Sequence, residues 1–74
     1  MPDPNVSYFA GRTVAILGYN ADAQEQAQHL REHSVRVLIA LRLEDPTVED
    51  ARRDGFPVRS LWDAVSEADI IQVW

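Results

Sequence analysis

Gly18, Asn20 and Ala23, in the stretch "LGYNADAQ", stand at the spacing with which a strand-to-helix turn can hold an anion. In such a turn a first glycine ends the strand, and a second lets the backbone approach a pyrophosphate. A third small residue seats the helix against the strand, and the phosphates rest on the free amides of the helix N-terminus. Gly18 fits the first position and Ala23 the third, which tolerates alanine. Asn20 occupies the second. Asparagine reaches positive φ more readily than most residues, but its side chain fills space that a phosphate needs. It can also cap the same amides. Asp22 and Glu25 stabilise a helix start through its dipole and repel a diphosphate brought there. The turn therefore reads as a dinucleotide site or as a helix start satisfied by its own side chains, and these residues leave both open.

Arg42 is the second chemical candidate. Near the end of a second strand, an acid binds the ribose hydroxyls of one dinucleotide, whereas an arginine accommodates the 2′-phosphate of the other. Arg42 favours the phosphorylated cofactor. Glu44, Asp45 and Glu49 are close enough in sequence to pair with it instead. Arg52 and Arg53 could reinforce a 2′-phosphate site, but a solvated helix face is the favoured reading of both. His29 and His33 lie one helical turn apart but bring no third ligand, so they also read as a solvated face. Capping accounts for Asp63, helix termination for Asp69 and surface exposure for His29. No residue is assigned a catalytic role, and no metal site is expected.

The elements that must position these residues follow from the apolar pattern. "RTVAILG" holds a continuous apolar run, Val14 to Leu17, of the kind found in a strand covered on both faces. From about Asp22 to His33 the composition is helical, with a thin apolar face of Ala23, Ala27 and Leu30. "VRVLIAL", Val35 to Leu41, is the strongest strand signal. In "EDPTVEDARRDG", Asp45 can cap, Pro46 fits the first helical position and Gly55 follows the end. Pro57 limits "FPVRS" to an edge strand or an extended link. Ser60 and Asp63 match a capping box, with Leu61, Ala64, Val65 and Ala68 following at helical spacing. "DIIQVW" closes the chain as a third apolar run. The expected fold is α/β, βαβαβαβ, with about four mostly parallel strands and three helices: one half of a doubly wound, Rossmann-like nucleotide fold. Residues 1–8 read as a loose tail and 9–74 as the single domain.

Bulk properties narrow the partners. The chain has 74 residues and a formal charge of −5, with no cysteine. The charge argues against nucleic acid or an anionic membrane as partner. No apolar run approaches the length of about 20 residues that a bilayer span needs. "MPDPNVSYFAG" lacks the features of a secretory signal, so a cytoplasmic location is expected. A domain this small buries only about 60% of its unfolded surface, so its apolar faces need cover.

"FAGRTVAILGYNADAQEQAQHLREHSVRVLIALR" and "EDARRDGFPVRSLWDAVSEADII" together resemble the cofactor domain of ketol-acid reductoisomerases. These enzymes convert acetohydroxy acids to dihydroxy acids in branched-chain amino-acid synthesis with NADPH and magnesium. Gly18, Tyr19, Ala27, Leu30, Arg31, Arg42, Gly55, Phe56, Ala68 and Asp69 fall on family-like positions. The resemblance implies NADPH as the cofactor, held by Gly18, Tyr19, Asn20, Ala23 and Arg42. Thr47 stands where hydroxyls following the arginine help hold the 2′-phosphate. The departures are Asn20 and Ala23 for the second and third glycines, Ser34 for the glycine before the second strand, and the acids of "LEDPT". Beyond this region the family continues into further nucleotide fold and a helical domain carrying the magnesium ligands, so the chain alone is not expected to catalyse.

Two functions compete: a reductoisomerase-like cofactor-binding domain whose affinity is weak or lost, and a non-catalytic dimerisation or docking module built on the same fold. The last strand leaves an apolar edge, and the expected consequence is a homodimer in which two such strands pair.

Overall fold

The computed structural model describes Phe9 and residues 11–73; the tail at 1–8 and Trp74 lie outside the described residues. Seven elements follow in the order β1 (Thr13–Leu17), α1 (Ala21–Glu32), β2 (Arg36–Ala40), α2 (Val48–Arg53), β3 (Val58–Arg59), α3 (Leu61–Glu67) and β4 (Ile70–Val73). The strands form one parallel sheet in the order β3-β2-β1-β4, with Leu17 beside Ala40 on one side of β1 and beside Val73 on the other. This is the expected α/β half-fold.

The two central strands carry the continuous apolar runs because both their faces are covered. Val14, Ala15, Ile16, Leu38 and Ile39 are fully buried. On one face Val14, Ile16, Val37 and Ile39 pack against Ala23, Ala27 and Leu30 of α1 and Val48 and Ala51 of α2. The alanines let α1 lie close to the sheet. On the other face α3 packs, through Ala64 against Ala15 and Ala40, with Leu17 and Ala68 at the margin. Crossing from β3 to β4 on this second face carries the chain over β2 and β1, which is why β4 joins the far side of β1.

The helix boundaries have local causes. α1 ends in a left-handed residue: Ser34 has φ 63, and the amide of Val35 donates to the Leu30 carbonyl at 3.0 Å while that of Ser34 donates to Arg31 at 2.9 Å. This is the terminating pattern that glycine normally supplies. At α2 the expected start is displaced. Pro46 lies in a turn, and the helix begins at Val48. The Asp45 carboxylate accepts from the Thr47 amide two residues on, at 2.8 Å, and so turns the chain before the helix instead of capping it at Pro46. Ser60 does cap α3, accepting from the Asp63 amide at 3.3 Å. Of the apolar residues at helical spacing in α3, Ala64 is buried while Leu61 and Val65 are exposed.

Asp69 does more than mark the end of a helix. Its carboxylate accepts from the Thr13 amide at 2.9 Å, and its own amide donates to the Thr13 carbonyl at 2.8 Å. The start of β4 is thereby clamped to the start of β1. β3 is an edge strand, in keeping with Pro57, whose carbonyl accepts from the Ile39 amide. Among the described residues no helix is long and apolar enough to cross a membrane.

Candidate functional site

Gly18 leaves β1 with φ 102, a conformation that side chains other than glycine's strain to adopt, and its amide donates to the Ala40 carbonyl at the end of β2. Two residues later Asn20 takes an extended backbone, φ −75 and ψ −179, so its tolerance of positive φ is not used here. Its Oδ1 accepts from the Ala23 amide at 2.8 Å. One of the helix amides suited to a phosphate is therefore already bonded. Ala23 is fully buried and supplies the close helix–sheet contact. Asp22 adds an acid to the first turn and is exposed.

Tyr19 points inward. It is 3% exposed, and its ring packs edge-on to Phe56, with centroids 6.1 Å apart. Its hydroxyl donates to the Asp54 carboxylate. Burial, reinforced by this anionic acceptor, raises the phenol well above the ordinary tyrosine range. Arg31 completes the cluster: its guanidinium lies 4.1 Å over the Phe56 ring and donates to the Asp54 carbonyl. Four residues, from the turn, α1 and the chain leaving α2, thus hold the turn in place. Resemblance places Tyr19, Arg31 and Phe56 on family positions, but their mutual contact depends on the α2–β3 connection folding back beneath α1.

Arg42 lies just past β2, beside a cleft of about 340 Å³ lined by Leu17, Ala40, Leu41, Arg42, Leu43, Ser60 and Leu61. The cleft opens at the carboxyl ends of β1, β2 and β3, where open α/β sheets place their ligands. Its walls are mostly apolar, and Arg42 and Ser60 are the polar residues among those that line it. Among the described residues no carboxylate forms an ion pair with Arg42; the acids near it in sequence leave its charge exposed. Thr47 is engaged otherwise. Its hydroxyl donates to Asp45 Oδ1 at 2.6 Å, and this bond, with that from the Thr47 amide, holds the Asp45 carboxyl below the usual carboxylate range.

Gly18, Asn20, Ala23 and Arg42 therefore gather at one edge of the sheet, because adjacent parallel strands end in register. Tyr19 supports that edge from within, and Thr47 lies beyond the cleft lining. Leu43, Ser60 and Leu61 were not anticipated there. The available signal was the placement of Ser60 directly after the third strand, which in a parallel sheet ends on the same side as the first two. The His29 and His33 rings stack edge-on at 4.9 Å near the other end of α1. Among the described residues no group of three histidine, cysteine or acidic side chains is placed to hold a metal.

Residues 8–74 match the sequence model of the acetohydroxy acid isomeroreductase, NADPH-binding domain. The chain is 38% identical over 71 residues to "Ketol-acid reductoisomerase (NADP(+))" of Petrotoga mobilis, covering 96% of this chain and 22% of that one. It is likewise 38% identical over 71 residues to "Ketol-acid reductoisomerase (NADP(+)) 2" of Bifidobacterium longum, covering 20% of it. A solved NADH-preferring ketol-acid reductoisomerase from an uncultured archaeon superposes with a TM-score of 0.80 at 27% identity, over 92% of this chain and 22% of the other. The chain thus spans about a fifth of the length of these relatives. With the parallel half-fold, the glycine turn and the arginine-edged cleft in the matched region, the chain belongs to the acetohydroxy acid isomeroreductase NADPH-binding domain family.

Proposed function

We propose that this chain is a cofactor-binding domain that holds the adenosine end of NADPH and has weakened its grip on the pyrophosphate. The observation that carries this reading is the cleft at the carboxyl ends of β1, β2 and β3, lined in part by Arg42, which forms no ion pair among the described residues. The apolar walls from Leu17, Leu41 and Leu61 suit an adenine ring. Arg42 suits the 2′-phosphate, to which a guanidinium can donate two parallel hydrogen bonds.

The residues of the turn fit a diphosphate less well. Asn20 already satisfies the Ala23 amide, and Asp22 places negative charge at the helix start. Binding there requires the Asn20 side chain to withdraw, which takes affinity from the complex. The nicotinamide of NADPH would supply hydride chemistry when bound. The residues of this chain bind and orient, and none is placed in a catalytic role. Isomerisation and reduction belong to the longer relatives, and the setting proposed is the cytoplasm.

Calorimetric titration of the purified 74-residue chain with NADPH, and with NADH for comparison, tests the reading. Binding in the micromolar to sub-millimolar range, preference for NADPH, and loss of that preference in Arg42→Ala are expected. No heat at millimolar NADPH would overturn it. A second reading, a non-catalytic interaction module, is favoured by one separate observation: the exposed apolar residues Leu61, Trp62, Val65, Ile71 and Val73 on α3 and β4.

A further inference from the structure

Of the described residues that line the cleft, Arg42 and Ser60 alone are polar, and they reach it from neighbouring strands. The pairing of β2 with β3 brings them together. Ile39 lies beside Val58 and Ala40 beside Arg59, and the Leu41 amide donates to the Arg59 carbonyl at 3.1 Å. One step further along this register Ser60 stands next to Leu41, the residue before Arg42. Ser60 Oγ accepts from the Asp63 amide at 3.3 Å. A hydroxyl can accept and donate at once, so capping α3 leaves its proton available. Among the described residues the Ser60 hydroxyl donates to no acceptor.

A 2′-phosphate beside Arg42 needs more than one donor. A guanidinium fork donates two parallel hydrogen bonds, and a phosphate offers three strong acceptor oxygens. Thr47, the hydroxyl expected from the sequence, is already engaged. It donates to Asp45 Oδ1 at 2.6 Å and lies outside the cleft lining. Ser60 is the hydroxyl that does line the cleft. We propose that Ser60 is a second specificity-determining residue of this cleft, its hydroxyl donating to the 2′-phosphate that Arg42 holds. This inference rests on the reading of the cleft as an NADPH site. Arg42 and Ser60 then grip one phosphate from the ends of two adjacent strands. In NADH that phosphate is missing, so the loss of the Ser60 hydroxyl falls on NADPH alone.

Calorimetric titration of the 74-residue chain and its Ser60 variants with NADPH and with NADH tests this. Glycine is tolerated at an N-cap, so Ser60→Gly removes the hydroxyl with little harm to α3. Its NADPH affinity should fall about tenfold, as for one lost hydrogen bond to a charged group, with NADH affinity unchanged. Ser60→Thr keeps the hydroxyl and should keep the wild-type preference. Ser60→Asp keeps a strong cap but sets a negative charge beside the phosphate. Its NADPH affinity should fall by about a hundredfold, and its preference should turn to NADH. Circular dichroism spectra should match throughout. An unchanged ratio of the two affinities in Ser60→Gly, or a Ser60→Asp chain that still prefers NADPH, overturns the assignment of Ser60 and leaves the NADPH reading standing. A wild-type chain that binds no NADPH overturns both.

Discussion

The Tyr19 hydroxyl donates to the carboxylate of Asp54, thirty-five residues away, and so ties the turn after β1 to the chain leaving α2. The side chain that follows the first glycine is in this way a fastening beneath the candidate site. Its neighbours Gly18 and Asn20 lie in the turn itself, between β1 and α1.

Removing that hydroxyl has a pH signature. Burial and the Asp54 carboxylate raise the folded-state phenol above its unfolded value of about 10. The folded chain therefore holds its proton where the unfolded chain has lost it. This contribution is complete below about pH 10 and is lost as pH rises beyond it. In Tyr19→Phe, the fall in stability above about pH 10 should be shallower than in the wild type. At neutral pH the variant should be less stable by about 1–3 kcal/mol, since the Asp54 carboxylate loses a partner. Urea unfolding at pH 7 and from pH 9 to 11 measures both.

Asn20→Gly should move stability and binding in opposite directions. Glycine at a helix N-cap costs only a few tenths of a kcal/mol relative to asparagine. It frees the Ala23 amide and clears the space of the side chain. NADPH affinity should rise several-fold by calorimetry while the melting temperature falls slightly.

Ser34→Gly should be stabilising. Serine at φ 63 bears the cost of a left-handed conformation, about 1–2 kcal/mol. The added freedom of glycine in the unfolded chain returns part of this, about 0.4–1 kcal/mol. A net gain of about 0.5–1 kcal/mol in urea unfolding is expected.

Asp69→Ala removes the acceptor for the Thr13 amide and should cost about 1 kcal/mol. Asp69→Asn keeps an acceptor oxygen and should cost less. Hydrogen exchange should show faster opening of β4 than of β2 in the alanine variant, because the clamp joins only β1 and β4.

Much of the fold was legible along the chain. The unbroken runs Val14–Leu17 and Val35–Leu41 can be buried on both faces only in a covered parallel sheet, and the intervening helices have the length of crossovers. Ser60 as a cap, Gly55 after a helix and Pro57 beside an edge strand each act within a few residues, so they could be read from neighbours alone. The start of α2 could not. Asp45 and Pro46 offer a cap and a first turn, but the Asp45 carboxylate bonds to Thr47 two residues on, and the helix begins later. α3 was legible as a helix from its cap and spacing, but not which of its residues pack. Leu61 and Val65 have the spacing of a buried face, yet the contact that forms is between alanines.

The sequence by itself determined the α/β class, the glycine turn, the placement of Arg42 after the second strand and the kinship with reductoisomerase cofactor domains. These depend on local pattern and on spacing preserved along the chain. Only the tertiary structure decided that Tyr19 faces Asp54, that Ser60 and Leu61 share a cleft with Arg42, and that Asp69 clamps Thr13. Each of these joins residues brought together by the order β3-β2-β1-β4. That order follows from α3 packing on the opposite face of the sheet from α1 and α2, a choice set by long-range packing that no single segment encodes.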